Sequence, residues 1–200
     1  MEGSSSSECA AVGGEELSVV GAGDAEGGGD SDDYSFTTFV REAAELQSLV
    51  EGVSVSMRSQ DESALQGCHD RILGILAHYQ EQSSLLDPHL EGYITALMEV
   101  VSENLPGTGS KGFGLVMATV NGFCSVRGAS TIMRFFPHAV ADLPRVLEAL
   151  EQHMEWHTAF WQIKYLLLLW LSVLALVPFD LRSLDDEEAS ARVVDRLLLV

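Results

Sequence analysis

Apolar side chains recur at steps of three and four residues along most of the chain after residue 35. This spacing places them on one face of a helix, whereas a half-buried strand alternates apolar and polar positions. The sequence shows no such alternation with hairpin turns, so the pattern predicts an all-α fold. The predicted helices cover 36–54, 61–80, 88–104, 112–126, 130–136, 143–154, 158–177 and a last one that starts at Ser183.

Short loops join these helices in sequence order, which favours antiparallel pairs. The predicted hairpins are 36–54 with 61–80, 88–104 with 112–126, and 143–154 with 158–177. Stacked helical hairpins are typical of HEAT or armadillo α-solenoids, and a compact irregular bundle is the alternative. The sequence stops at the uncapped apolar run 197–200. This end predicts either the N-terminal part of a longer solenoid or a truncated gene model.

The segment 166–177 is the longest apolar stretch of the chain. Its twelve residues would span about 18 Å as a helix, whereas the apolar core of a bilayer is about 30 Å thick. Lys164 precedes the segment and Pro178 ends it. We therefore predict a central core helix that is apolar on every side, and no membrane span.

Residues 1–33 differ in composition from the rest of the chain. They contain eight glycines, six serines and nine acidic residues, without a single Lys or Arg. Such a segment buries too little apolar surface to offset the entropy of ordering it. We therefore predict a disordered acidic tail over 1–33 and a helical domain over 34–200.

The net charge of −19 excludes several classes of partner. Nucleic acids and anionic membrane surfaces are bound mainly through Lys and Arg, which are scarce here, so neither is expected. Cys9, Cys68 and Cys124 are odd in number and widely spaced. Their spacing fits neither a disulfide framework nor a zinc cluster, and no secretory signal precedes them. The expected location is the cytoplasm.

Two patterns resemble catalytic or ligand motifs only superficially. Gly107-x-Gly109-x-x-Gly112 matches a dinucleotide fingerprint in letters, but a predicted helix precedes it where the fingerprint needs a strand. His153 and His157 are four residues apart, which gives two metal ligands at most. We assign no catalytic residue, no cofactor and no metal site.

Three blocks of sequence carry a more specific resemblance. They begin with His78-Tyr-Gln-Glu-Gln and Leu86-Asp-Pro-His-Leu-Glu, continue through Phe136-Pro-His, and end with Leu168-Leu-Trp-Leu-Ser-Val and Pro178-Phe-Asp. In this order and spacing they resemble the N-terminal region of the tubulin-folding cofactor D family, over about 60–181. Family members are several times longer and consist of HEAT/armadillo-like repeats.

The resemblance implies a chaperone without its own catalytic site. Members of the family bind β-tubulin after the cytosolic chaperonin and act with tubulin-folding cofactors A, C and E in assembling the αβ-tubulin dimer. Together with those cofactors they promote GTP hydrolysis by tubulin, and they also bind a small Arf-like GTPase. A cytoplasmic, cytoskeleton-associated location follows. The alternative is a generic α-solenoid adaptor with a cargo other than tubulin.

Three residues are candidates for binding a partner. Arg127, Arg134 and His138 are cationic or titratable groups in an acidic chain, and they lie on the connector after the predicted helix 112–126. The competing interpretation is structural, because either arginine could cap a helix end or pair with Asp142.

Overall fold

All regular structure in the described part of the chain is helical. The computed structural model describes residues 40–105, 110–153 and 161–178, which belong to the unit Thr37–Val200. No strand occurs among them, which confirms the predicted all-α class. The α-helices described are α1 (Ala43–Ser59), α2 (Glu62–His78), α3 (Asp87–Glu103), α4 (Lys111–Arg127), α5 (Ala129–Ile132), α6 (Leu143–His153) and α7 (Trp161–Ala175). Short 3-10 helices lie at Ser83–Leu86, Met133–Phe135 and Val140–Asp142.

Side-chain caps determine where α2 and α4 begin. The Asp61 carboxylate accepts a hydrogen bond from the backbone N–H of Ala64 at 3.0 Å. Ser110 accepts one from the N–H of Phe113 at 3.2 Å. Gly128 follows α4 with φ of 94°, a conformation that L side chains rarely adopt. Asp61 and Ser110 thus accept hydrogen bonds from backbone N–H groups that the start of a helix leaves without partners. Gly128 lets the chain change direction at the end of α4.

The start of α1 differs from its prediction. The helix begins at Ala43 rather than at 36, and it ends at Ser59 rather than at 54. The backbone N–H of Arg41 donates to the hydroxyl of Tyr79 at 3.1 Å, and that hydroxyl donates to the carboxylate of Glu42. The end of α2 therefore holds the chain in a non-helical conformation just before α1.

The helices stack in two layers. α1 packs against α2, and α6 packs against α7, as the predicted hairpins require. α3 touches α4, but it packs more extensively against α1, while α4 packs against α2 and α7. One layer therefore contains α1 and α3, and the other contains α2, α4 and α7. This arrangement confirms the predicted stack of armadillo-like helical pairs.

α7 is buried on one side only. Its buried residues are Ile163, Leu166, Leu167, Trp170, Leu171 and Leu174. Trp161 is 54% exposed and Leu168 is 39% exposed, so the helix is not enclosed on every side as predicted. The reason is that, of the described helices, α7 packs mainly against α4 and α6. Among the residues that the structure describes, no helix combines the length and the apolar character needed to cross a membrane.

Several predictions concern residues outside the described ranges. These are the acidic tail over 1–33, the boundary between 33 and 34, the glycines Gly107 and Gly109, the side chains of His153 and His157, the helix that starts at Ser183, and the apolar end 197–200.

Candidate interaction site between the α5–α6 connection and α7

Arg127 is held in an ion pair and is not available as a free cation. It is the last residue of α4, and Asp87 is the first residue of α3. The Arg127 Nε–Asp87 Oδ1 distance is 2.5 Å and the Nη2–Oδ2 distance is 2.7 Å, so the guanidinium binds both carboxylate oxygens. This contact holds the pKa of Asp87 below its ordinary value. Arg127 thus joins two helices, as in the structural interpretation of this residue, but its partner is Asp87 and not Asp142.

Asp142 pairs with a different arginine. The Arg145 Nη1–Asp142 Oδ1 distance is 3.3 Å, and the two residues are three positions apart at the start of α6. A 3-10 helix leads directly into α3 without a side-chain cap, and the Asp87 carboxylate binds Arg127 instead.

Arg134 and His138 lie at the surface of the segment that connects α5 to α6. Their side chains are exposed, whereas Ile132 and Phe136 between and beside them are buried. Trp170 of α7 donates from Nε1 to the carbonyl of Pro137 at 2.9 Å. The alternation of buried and exposed positions, together with this bond, directs Arg134 and His138 outward.

These two residues share one groove. It has a volume of about 430 Å³, and its other wall is the end of α7 with the residues that follow it. Arg134 and His138 form no ion pair or hydrogen bond within the described residues. Leu176 on the opposite wall is 82% exposed. The lining residues are Ser130, Met133, Arg134, His138, Val173, Leu176, Val177 and Pro178. We call this the Arg134 groove.

The Arg134 groove combines positive charge with apolar surface. Arg58, Arg71, Arg127 and Arg145 each lie within ion-pair distance of a carboxylate, and Arg134 does not. A guanidinium in this position is able to bind a carboxylate through two parallel hydrogen bonds. The exposed Leu176 and the half-buried valines beside it can contact an apolar side chain. The chemistry of the groove therefore matches an acidic segment that also carries an apolar residue.

A buried polar pair between α2 and α4 was not predicted from the sequence. His69 Nδ1 lies 2.9 Å from Thr119 Oγ1. The Thr119 hydroxyl donates its one proton to the carbonyl of Leu115 at 2.8 Å, so we assign the proton on the other bond to His69 Nδ1. The signal was present: a histidine occupies a position between Leu65 and Ile72 in an otherwise apolar stripe. Buried polar side chains of this kind need partners.

We expect His69 to make the free energy of unfolding fall as the pH drops from 7.5 to 5.5. Burial is the main cause that lowers the pKa of this imidazole from its ordinary value of 6.5, against a smaller opposing influence of Asp70. The unfolded chain therefore binds the proton first as pH falls, and protonation favours unfolding. Urea unfolding at both pH values measures this slope. The slope should be smaller in His69→Asn, whose amide can retain the bond to Thr119, and equal slopes would contradict the assignment.

The thiols of the described residues are poorly suited to nucleophilic chemistry. Burial raises the pKa of Cys124 to about 12, and burial also raises the pKa of Cys68. Both thiols are therefore protonated near neutral pH, where a reactive cysteine would be a thiolate. No group of three or more His, Cys, Asp or Glu within the described ranges is arranged to hold a metal ion.

Comparisons with known proteins give one consistent result. A family model described as tubulin-specific chaperone D-like, ARM repeat, matches residues 76–200. A tubulin-specific chaperone D of Dictyostelium discoideum is 28% identical over 135 residues, which cover 57% of this chain and 9% of that protein. The chain thus corresponds to a small part of that relative's length. No solved structure matches.

Proposed function

Because the chain belongs to the tubulin-specific chaperone D family, we propose that it is a helical scaffold for tubulin folding that binds β-tubulin. The family match over residues 76–200 is the observation that supports this proposal. The stack of α1–α4, α6 and α7 agrees with it, because stacked helical pairs present extended surfaces for binding other proteins. The scaffold holds β-tubulin until α-tubulin joins it.

The proposal includes the partners that the resemblance implies. These are tubulin-folding cofactors A, C and E, the αβ-tubulin dimer and a small Arf-like GTPase. The chain acts without its own catalytic site, and GTP hydrolysis belongs to tubulin, which the assembled cofactors activate. This role places the chain in the cytoplasm, in association with the cytoskeleton.

We further propose that the Arg134 groove is part of the β-tubulin contact. Arg134 and His138 line it together with exposed apolar residues such as Leu176. The segment of β-tubulin that fits this groove carries a carboxylate next to an apolar side chain, because each then meets its complement. Arg127 does not belong to this contact, since Asp87 already binds its guanidinium.

A capture experiment tests the function. The immobilised chain should bind β-tubulin released from the chaperonin, and it should not bind an unrelated acidic protein of similar size. Equal capture of both proteins would contradict a specific role in tubulin folding and would favour a generic adaptor. Absence of β-tubulin capture by the unmodified chain would also contradict the proposal.

The variant Arg134→Glu should weaken β-tubulin capture by about tenfold, because the variant replaces an attractive charge with a repulsive one at the contact. Lys164→Glu is the matched control, since it makes the same change in net charge at an exposed residue near the start of α7. Titration by fluorescence anisotropy measures both affinities. If the two variants bind equally, the groove is not part of the contact, although the scaffold function would stand.

A further inference from the structure

The exposed apolar surface of the described residues is concentrated on α7. Five large apolar side chains are exposed among these residues, and four of them lie on α7 or directly after it. Val55 of α1 is the remaining one. The four are Trp161, Tyr165, Leu168 and Leu176. Exposed apolar side chains that are gathered on one helix of an acidic chain indicate a surface that another segment covers.

Three of these side chains form a stripe along the outer side of α7, together with Ser172. The four residues follow one another at steps of four, three and four, which places them on one face of the helix. The rings of Trp161 and Tyr165 pack against each other, with their centroids 6.2 Å apart. The Ser172 hydroxyl donates to the carbonyl of Leu169 at 2.6 Å, so its proton already has an acceptor. We call Trp161, Tyr165, Leu168 and Ser172 the α7 outer stripe.

The helix that carries the α7 outer stripe is poor in charge. α7 contains one charged residue, Lys164, and no carboxylate, although the chain as a whole carries a net charge of −19. An apolar segment that covers the stripe therefore removes water from apolar side chains without burying an unpaired carboxylate, which would be costly. The chemistry of the stripe thus favours an apolar occupant over a charged one.

The sequence that follows α7 has a matching pattern. Four apolar residues near its end recur one, three and four positions apart, a spacing that predicts one side of a helix. These residues are Val193, Val194, Leu197 and Leu198. Arg192, Asp195 and Arg196 fall on the other side of the predicted helix. A helix with one apolar side needs a second apolar surface against which to bury it.

We propose that the segment 184–200 of this chain packs as an antiparallel helix against the α7 outer stripe. The connection 176–182 separates the end of α7 from Ser183, where the predicted helix starts. Connections of about two to eight residues usually join neighbouring antiparallel helices. The lengths also agree, because α7 and the segment 184–200 correspond to about 22 Å and about 25 Å of helix at a rise of about 1.5 Å per residue.

The covalent connection favours this segment over a second copy of the chain. A short linker gives the tethered segment an effective concentration on the order of millimolar, whereas two copies that each carry a net charge of −19 repel each other. In the antiparallel register the contact is centred on Leu168, and Trp161 lies at its edge. Tyr165 and Leu168 then serve an intramolecular contact and not the binding of a partner. This proposal does not depend on a role in tubulin folding.

Hydrogen exchange followed by mass spectrometry tests the contact on the full chain. The backbone amides of 190–200 should exchange at least tenfold faster in Leu168→Asp than in the unmodified chain, because a carboxylate in the stripe opposes its burial under an apolar helix. Val55→Asp is the matched control, since it places the same carboxylate at an exposed apolar position of α1. Exchange of 190–200 in this control should equal that of the unmodified chain. Circular dichroism confirms that both variants are folded.

Hydroxyl-radical labelling measures the same contact from the side of α7. Leu197→Asp should raise the labelling of Tyr165 at least threefold, because the ring loses its cover. Leu199→Asp adds the same charge on the opposite side of the predicted helix and should leave the labelling unchanged. The proposal is overturned if the two variants label Tyr165 equally, or if 190–200 exchanges in the unmodified chain as fast as a free peptide. Protection that rises with chain concentration would assign the stripe to a second copy and would also overturn it.

Discussion

Replacement of Trp170 by alanine should lower the free energy of unfolding by about 3–5 kcal/mol, the usual range for removing a buried aromatic side chain. Trp170 is fully buried, and it is the largest of the fully buried side chains in the described residues. Its Nε1 also donates to the carbonyl of Pro137 at 2.9 Å. The variant therefore loses packing in the core and a bond that positions the 134–138 segment. Urea unfolding followed by circular dichroism measures the change.

Two further variants separate the contributions of Trp170. Trp170→Phe keeps most of the ring packing but leaves the Pro137 carbonyl without its donor, so a smaller loss of about 1–2 kcal/mol is expected. Trp161→Ala removes a tryptophan that is 54% exposed on the same helix, and it should cost less than Trp170→Phe. If Trp161→Ala and Trp170→Ala cost the same, the burial assigned to α7 is wrong.

Periodicity predicted the helices well where one face alone is buried. In α2, the apolar residues Leu65, Ile72, Ile75 and Leu76 recur at helical spacing and are all buried, and the helix begins beside the capping residue Asp61. Such information is local, because burial repeats with the period of the helix and caps act within one turn. The same local information predicted the hairpins α1–α2 and α6–α7, whose helices are consecutive in sequence.

Features that depend on distant residues were not predictable in this way. The delayed start of α1 depends on Tyr79, which lies 38 positions from Arg41. The partner of Arg127 is Asp87, 40 positions away, rather than the nearer Asp142. Contacts between residues so far apart in the sequence produce no periodic pattern, so they become visible only when the helices are packed together.

The candidate site shows the same division between local and distant information. Arg134 and His138 were identified from their charge, and the structure places both in one groove. Their apolar neighbours were not identified, because Leu176 and Val177 belong to a stretch that was expected to be entirely buried. Just after α7, Leu176 is 82% exposed and Val177 is half-buried, because α7 packs on one side only, which is a property of the stack and not of the helix.

Replacement of Arg145 by methionine should lower the free energy of unfolding by about 2–3 kcal/mol, since it removes charged hydrogen bonds to partly buried acceptors. Nη2 of Arg145 donates to the carbonyls of Ser102 and Leu105 at 2.5 and 3.1 Å. Nη1 lies 3.3 Å from the carboxylate of Asp142, a residue that is only 9% exposed. One guanidinium thus donates hydrogen bonds to two backbone carbonyls at the end of α3 and forms an ion pair with the Asp142 carboxylate at the start of α6. Methionine preserves the packing of the stem and removes all of these bonds.

Thermal and urea unfolding of three variants distinguish this bridging role from a simple surface charge. Arg145→Lys keeps the charge but lacks the planar set of donors, so it should recover only part of the loss. Arg58→Met removes an arginine whose guanidinium lies 3.6 Å from Glu103, near the same end of α3, with both side chains largely exposed. That change should cost about 0.5 kcal/mol or less, as exposed ion pairs usually do. If Arg145→Met costs no more than Arg58→Met, the contact between α3 and α6 does not depend on Arg145.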